Sequence, residues 1–356
     1  MVDGLGMGVL GCADIAWRRT IPAMRAGGAR LVAVASRSRD KARRFADRFG
    51  CRAVQGYERL LERSDIAAVY IPLPNALHAR WAEAALLAGK HVLVEKSFTA
   101  DVATAERLTG LAEGRGLLLM ENFTFLHHSQ HATARRLVLE GAIGTPRQIT
   151  ADFAIPPGPG SALRYQPELG GGALLECGTY TVRAAQLFLG PDPVVAGGLL
   201  VRDGDGGVDL GGGALLYDAR GVTAHCSFGF THMYRCAYSV WGSTGRLTLE
   251  WAFTPPPSAR PVLRLERQDY REERVLAADD QFANMVRRFV EDAQRPQAHR
   301  EHAADIVRQA RLLSAVAATA RVISPATSED RPWQPSPSCP APCPATSTRP
   351  SPSPAS

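Results

Sequence analysis

The sequence predicts an α/β protein: a parallel sheet wrapped by helices, then an α+β part built on a mostly antiparallel open sheet. Three observations carry this. The first third alternates short apolar runs with amphipathic helical stretches, and the rest becomes a succession of strands separated by turn residues. At 356 residues the chain also exceeds the size at which one hydrophobic core usually stops growing.

Taken in order, MGVLG (7–11) reads as a strand, followed by a helix through Ile15–Met24. LVAVAS (31–36) is the second strand, and DKARRFADRFG is a helix stopped by Gly50. IAAVYIPL (66–73) is the third, and the helix ALHARWAEAALLAGK leads from it into HVLVEK (91–96). The helix TAERLTGLAEGR then precedes LLLMEN (117–122). Strand–helix–strand units of this length imply right-handed crossovers and a doubly wound sheet.

The rhythm changes after about residue 145, where RQITADFAI alternates like a strand and GALLECGTYTVRAAQLFLG reads as a helix. VVAGGLLVR, GGALLYDA, VTAHCSFGF, AYSVWGS, GRLTLEWAF and VLRLERQ are then strands of one largely antiparallel sheet. DDQFANMVRRFVEDA and EHAADIVRQARLLSAVAATARV close the fold as helices, the last expected to pack back against the first part. Beyond Thr327, Pro and Ser with almost nothing to bury predict a disordered tail. The expected division is 1–123, 124–326 and a tail of 327–356.

Composition excludes several classes. Apolar residues at 45% and charged residues at 21% are ordinary for a globular chain. No segment approaches the roughly 18 apolar residues of a membrane span, and MVDGLGMGVLGCADIAW has no secretory pattern, so a cytoplasmic protein is expected. Cys12, Cys51, Cys177, Cys226 and Cys236 form no CxxC pair and read as free thiols. The net charge of +6 is spread along helices without a basic block interleaved with aromatics, which argues against nucleic acid and suits a phosphorylated small molecule.

The first strand runs into Gly11-Cys12-Ala13-Asp14-Ile15-Ala16, a G-x-A-x-x-A form of the dinucleotide fingerprint. Small residues there let the backbone approach a pyrophosphate, and the helix start offers unpaired N–H groups to the anion. The next strand ends Ser36-Arg37, where an NAD-binding fold usually places an acid. A hydroxyl and a guanidinium suit a 2′-phosphate instead, so NADP(H) is expected.

Only three lysines occur, Lys41, Lys90 and Lys96, and every other strong base is arginine. Lys96 follows Glu95 at the carboxyl end of a parallel strand, where such sheets place ligands. Unlike arginine, a lysine there can lose its charge by desolvation, and a pKa brought toward neutrality would suit proton transfer.

The strings GCADIA, IPLPNALHARWAEAALLAGKHVLVEKSF, LLLMENFTFLHH and GGGALLECGTY together resemble the Gfo/Idh/MocA oxidoreductase family. ADIAWRR, ASR, RYQPELGGGALL, GSTGRL and FTPP sharpen the resemblance to its NADPH-dependent nucleotide-sugar 3-ketoreductases of antibiotic deoxysugar pathways, from about residue 7 to 323. The resemblance implies a Rossmann domain joined to a substrate-binding domain whose open sheet serves in homo-oligomerisation. It maps the lysine of the family's E-K-P motif onto Lys96, and the histidine of its G-G-G-x-L-x-D-x-G-x-H motif onto Tyr180. Ser97 replaces the motif's proline, Glu176 its aspartate and Tyr180 its histidine; the tyrosine is what the deoxysugar ketoreductases carry.

By the same resemblance, Leu73, Pro74 and His78 line the nicotinamide ribose, Glu95 orients ribose hydroxyls and Tyr57 lies beside the adenine. Arg164 and Glu176 join the cofactor site, while Arg18, Tyr165, Tyr234 and Thr254 face the sugar nucleotide. The implied reaction is reduction of the C3 ketone of a dTDP-linked 4-keto-2,6-dideoxyhexose, with Lys96 as proton donor and Tyr180 sharing the proton. Two other readings stay open at this point: oxidation of a free polyol or dihydrodiol, and a non-catalytic NADP sensor. His127, His128 and His131 have the spacing of one helix face, but no acidic partner matches and no metal is expected.

Overall fold

The computed structural model describes residues 4–160, 162–202, 204 and 206–324, so the Pro/Ser tail lies outside the described residues. Strands β1 (Leu5–Leu10), β2 (Ala29–Ser36), β3 (Arg52–Gln55), β4 (Ala68–Ile71), β5 (His91–Glu95) and β6 (Leu119–Asn122) form a six-stranded sheet in the order β3-β2-β1-β4-β5-β6. Every pairing in it is parallel. Their apolar runs are buried because helices cover both faces. These helices are α1 (Ile21–Ala26), α2 (Arg39–Phe49), α3 (Tyr57–Leu61), α4 (Asn75–Leu87) and α5 (Val102–Gly114). The order reverses between β1 and β4, which opens a crevice at the carboxyl ends of those strands.

After α6 (Ser129–Leu139) come β7 (Pro146–Ala154) and α7 (Thr179–Ala185), then β8 (Val194–Arg202), β9 (Asp209–Tyr217), β10 (Thr223–Gly229) and β11 (Arg235–Gly242). β12 (Arg246–Glu250), β13 (Val262–Arg267) and β14 (Tyr270–Val275) follow, then α8 (Gln281–Asp292), α9 (Pro296–Thr319) and β15 (Ala320–Ile323). The second sheet has nine strands in the order β14-β13-β12-β11-β7-β10-β9-β8-β15. It is antiparallel except where β10 meets β7 and β15 meets β8.

The two closing helices tie the sheets together. Met285, Val286 and Phe289 of α8 complete the core on one face of the parallel sheet. Ile306 and Ala310 of α9 enter the core on its other face, and Leu312, Leu313 and Val316 enter the core of the second sheet. Each fully buried side chain of this size contributes on the order of 1.5–3 kcal/mol.

The structure departs from the sequence reading at several elements, among them α3 and β14, neither of which was expected. RAVQ forms the edge strand β3, unforeseen because most of it is exposed. The last helix stops at Thr319, and Ala320–Ile323 pair in parallel with β8, as the β-branched Val322 and Ile323 favour. The three histidines do not share a helix face. His127 ends a 3-10 turn, His128 caps α6, and His131 is buried against the Tyr238 hydroxyl at 3.0 Å and the Ala252 carbonyl at 3.0 Å. Among the described residues no group of three or more His, Cys, Asp or Glu is placed to hold a metal, and no helix is long and apolar enough to cross a membrane.

Candidate active site

The fingerprint turn is built for close approach. Gly11 has φ +123°, and a Cβ there would meet Leu73 Cδ2 at 2.8 Å, so a side chain is excluded both by backbone and by space. Its N–H donates to the Ala35 carbonyl at 3.0 Å, which seats the turn on β2. The helix after it opens with a π turn, Ala16–Thr20, and Ala16 is fully buried against the sheet. Cys12 donates its Sγ to the Lys41 carbonyl at 3.6 Å, and burial pushes its thiol up to about 11. Asp14 pairs with Arg18 one turn on.

At the end of β2, Ser36 Oγ accepts from Ser38 N at 3.2 Å, and Ser38 Oγ caps α2 by accepting from Lys41 N at 3.3 Å. Arg37 lies beside the Tyr57 phenol, whose ring stands edge-on to Trp81 at 4.8 Å. Hydroxyls, guanidinium and a helix start converge here with no carboxylate at the strand end. That donor set fits a dinucleotide carrying a 2′-phosphate.

Lys96 follows directly on β5 and reaches across to the second part of the chain. Its Nζ donates to Glu176 Oε2 at 3.0 Å and to the Glu176 carbonyl at 3.4 Å, and lies 5.4 Å from the centre of the Tyr180 ring. The next residue continues the seam, Ser97 Oγ donating to the Leu175 carbonyl at 2.9 Å across a cis Lys96–Ser97 peptide. Glu176 sits on a π turn, Leu174–Gly178, an irregularity common at functional sites, and the turn leads into α7, which carries Tyr180. Asp209 holds its start, accepting from Leu174 N at 2.6 Å.

Burial alone would lower the pKa of Lys96. The carboxylate of Glu176, the oxygen of Tyr180 and the carboxylate of Glu95 outweigh it and hold the pKa above the ordinary lysine range. Burial likewise opposes ionisation of Glu176, but the Lys96 charge prevails and its carboxyl falls below the usual range. Burial pushes the Tyr180 phenol up. The expectation of a lysine near neutrality is therefore corrected: its neighbours are carboxylates, not cations, and the resting site holds a charged ammonium beside a neutral phenol.

Other expected site residues divide into three groups. Arg164, over the Phe230 ring at 5.5 Å, and Tyr165, edge-on to the same ring at 5.6 Å, lie beside the Glu176 turn. Tyr234 is bonded to Thr254, and its ring stands 6.5 Å from Phe153, which itself touches Tyr180 at 5.0 Å. Arg18, expected at the sugar nucleotide, lines a cleft with Cys12, Lys41 and Arg44 at the fingerprint turn. There it pairs with Asp14 on one helix face.

Two residues expected to touch the cofactor are engaged internally. His78 is fully buried, its Nδ1 2.8 Å from the Ser97 carbonyl and its Nε2 2.6 Å from the Leu73 carbonyl. It therefore joins the Leu73-Pro74 loop to the Lys96-Ser97 loop rather than lining the cleft. Glu95 Oε1 accepts from the Tyr70 hydroxyl at 2.6 Å and from Asn122 Nδ2 at 2.7 Å, so that oxygen braces neighbouring strands.

Asn75 was missed by sequence reasoning. At the start of α4 its Nδ2 donates to the Gly170 carbonyl at 2.9 Å and to Glu176 Oε1 at 3.3 Å, fixing the carboxylate that faces Lys96. Gly170, at φ +75°, admits this approach, because a Cβ there would meet Ala76 N at 2.9 Å. The only signal was Asn75's place in the IPLPNALH string.

The family model described as an oxidoreductase family with an NAD-binding Rossmann fold, GFO/IDH/MocA, matches residues 5–123, and the GFO/IDH/MocA C-terminal domain model matches residues 131–248. A dTDP-3,4-didehydro-2,6-dideoxy-alpha-D-glucose 3-reductase from Actinomadura kijaniata is 51% identical over 318 residues, 89% of this chain and 96% of that protein. A protein of the same name from Streptomyces antibioticus is 51% identical over 320 residues, 89% of this chain and 98% of that protein. The crystal structure of a 3-ketoreductase from Actinomadura kijaniata in complex with NADP and TDP-benzene superposes with a TM-score of 0.88 at 50% identity, covering 90% of this chain and 99% of that chain.

Proposed function

The chain belongs to the GFO/IDH/MocA oxidoreductase family, and from that premise we propose that it is an NADPH-dependent reductase of the C3 ketone of a dTDP-linked 4-keto-2,6-dideoxyhexose, acting in deoxysugar biosynthesis. The observation that carries the reading is the Lys96 ammonium lying over the Tyr180 ring at 5.4 Å at the carboxyl end of β5. The names and bound ligands of relatives near 50% identity support the cofactor and the substrate class.

Gly11 to Ala16 would hold the pyrophosphate, with Ser36 and Arg37 on the 2′-phosphate and Leu73 and Pro74 on the nicotinamide side. When bound, NADPH supplies the hydride that reduces the ketone carbon. The chain's own task is the oxygen, which gains negative charge as the carbon is reduced. Lys96 meets that charge with a fixed ammonium, and Tyr180 offers a phenolic hydrogen bond in a site shielded from water. The alkoxide that develops as the carbon is reduced is a strong base. Donors whose own pKa values are raised therefore still transfer a proton to it. We assign the proton to Lys96, with Tyr180 sharing the bond. Glu176, held by Asn75, keeps the ammonium charged and aimed.

The outer face of the nine-stranded sheet exposes Leu215, Tyr217 and Trp241, and we take it as the surface on which a second copy packs. The test of function uses freshly generated 3,4-diketo nucleotide sugar and NADPH deuterated at the transferring position. Deuterium should appear at C3 of the product sugar. Label at C4, or none in the sugar, overturns the assignment.

A further inference from the structure

We propose that Trp251 and Tyr234 form the platform on which the nucleobase of the sugar nucleotide stacks. The proposal rests on the reading that the substrate is a nucleotide-linked sugar, and it adds where the base is held.

A row of rings leads outward from the reacting end of the site. Tyr180 meets Phe153 at 5.0 Å, Phe153 meets Tyr234 at 6.5 Å, and Tyr234 meets Trp251 at 5.7 Å with the planes tilted by 42°. The first two rings are inside the core, whereas Trp251 is 53% exposed. Tyr180 comes from α7, and the other three belong to one end of the second sheet: β7 ends at Ala154, which pairs with Arg235 at the start of β11, and Trp251 follows directly on β12. The row therefore starts at the proton donors and ends at the surface, as a substrate with its sugar inward and its base outward requires.

Trp251 is held in place by its neighbours. Its φ of +54° is the only positive value for a non-glycine among the described residues, a conformation that persists only when the surroundings over-determine it. Buried groups do so here. The Ala252 carbonyl accepts from Gln130 Nε2 at 3.1 Å and lies 3.0 Å from His131 Nε2. Ala252 N donates to the Cys236 carbonyl at 2.9 Å and Phe253 N donates to Cys236 Sγ at 3.0 Å. These bonds pull Ala252 and Phe253 into the core and leave the indole standing out. The Tyr234 ring beside it is fixed through its hydroxyl by Thr254, and Met233, 85% exposed, adds a soft apolar neighbour. A rigid pair of rings open to solvent suits a flat, uncharged heterocycle, because such stacking needs little side-chain ordering on binding.

The test is titration of the full-length protein with thymidine diphosphate, followed by intrinsic fluorescence and calorimetry, beside inorganic pyrophosphate and NADPH. Trp251→Ala should weaken thymidine diphosphate roughly 5- to 150-fold, with the same factor in KM for the sugar nucleotide. Trp251→Phe should recover most of the loss, and NADPH and pyrophosphate should bind Trp251→Ala as they bind the wild type. Equal thymidine diphosphate affinity in Trp251→Ala and wild type overturns the platform while leaving the reductase reading intact. So does a variant whose only change is a smaller assembly in sedimentation, which would make Trp251 a subunit contact. A wild-type protein that binds no nucleoside diphosphate yet reduces free ketosugars removes the nucleotide-sugar reading, and the platform with it.

Discussion

Lys96 Nζ stands 3.0 Å from Glu176 Oε2, a partner 80 positions away that joins the parallel sheet to the glycine-led helix of the second sheet. Burial pulls the lysine's pKa down, and the Glu176 carboxylate is the largest influence holding it up.

Neutralising that carboxylate should move the pH profile. In Glu176→Gln the largest influence opposing burial at Lys96 is gone, so its pKa falls. The alkaline limb of kcat/KM is then expected at lower pH than in the wild type. Rates across the alkaline range check this, and an unmoved limb would mean that Lys96 is not the titrating acid.

Removing the proton donors should separate chemistry from cofactor binding. Lys96→Ala is expected to lower kcat by about 10²–10⁴-fold, and Tyr180→Phe by a smaller factor within the range of general acid catalysis. NADPH affinity, measured by fluorescence titration, should stay near wild type in both. A Tyr180→Phe loss larger than that of Lys96→Ala would reverse the roles given to the two groups.

The cofactor preference should rest on the end of β2. Losing the charge-assisted bonds of Arg37 costs roughly 1.5–3 kcal/mol, so Arg37→Ala should raise KM for NADPH about 10- to 150-fold and leave NADH nearly untouched. Parallel kinetics with both cofactors decide it.

The histidines predict acid lability. Burial depresses His78 and His127 to about 4 and His131 to about 3, below the 6.5 of an unfolded histidine. Their contribution is fully present above pH 6.5 and is lost as pH falls toward their folded values. Each contributes a slope of up to ~1.4 kcal/mol per pH unit. Glu121 runs the other way: burial raises it to about 7, so its contribution is present below pH 4.5 and lost as pH rises through 7. Three histidines outweigh one carboxyl, and the melting temperature should fall between pH 6.5 and 4.5. His131→Asn, which removes one of the three, should flatten that fall in a thermal scan.

How much of this could be read from the residues depends on where each one's neighbours come from. The central strands were legible because burial on both faces writes a continuous apolar run, as in VAVAS and HVLVE; β3 was not, because Arg52, Ala53 and Gln55 face solvent. Lys96 and Tyr180 were legible as site residues from local motifs. The sign of the lysine's shift was not, since its partner arrives from 80 residues away. The bridging role of His78, and Asn75 altogether, escaped for the same reason: each joins loops that meet only in the folded chain, His78 to Ser97 and Asn75 to Gly170.

The central claim is that Lys96 and Tyr180 serve the reduction of a nucleotide-bound 3-ketone. The most direct measurement is NADPH oxidation, followed optically, with freshly generated dTDP-3,4-diketo-2,6-dideoxyhexose and with free ketosugars and polyols as controls. The account predicts rapid oxidation with the nucleotide sugar, little with the free sugars, and near-complete loss in Lys96→Ala. Wild-type rates in Lys96→Ala, or a free sugar turned over in preference, would contradict it.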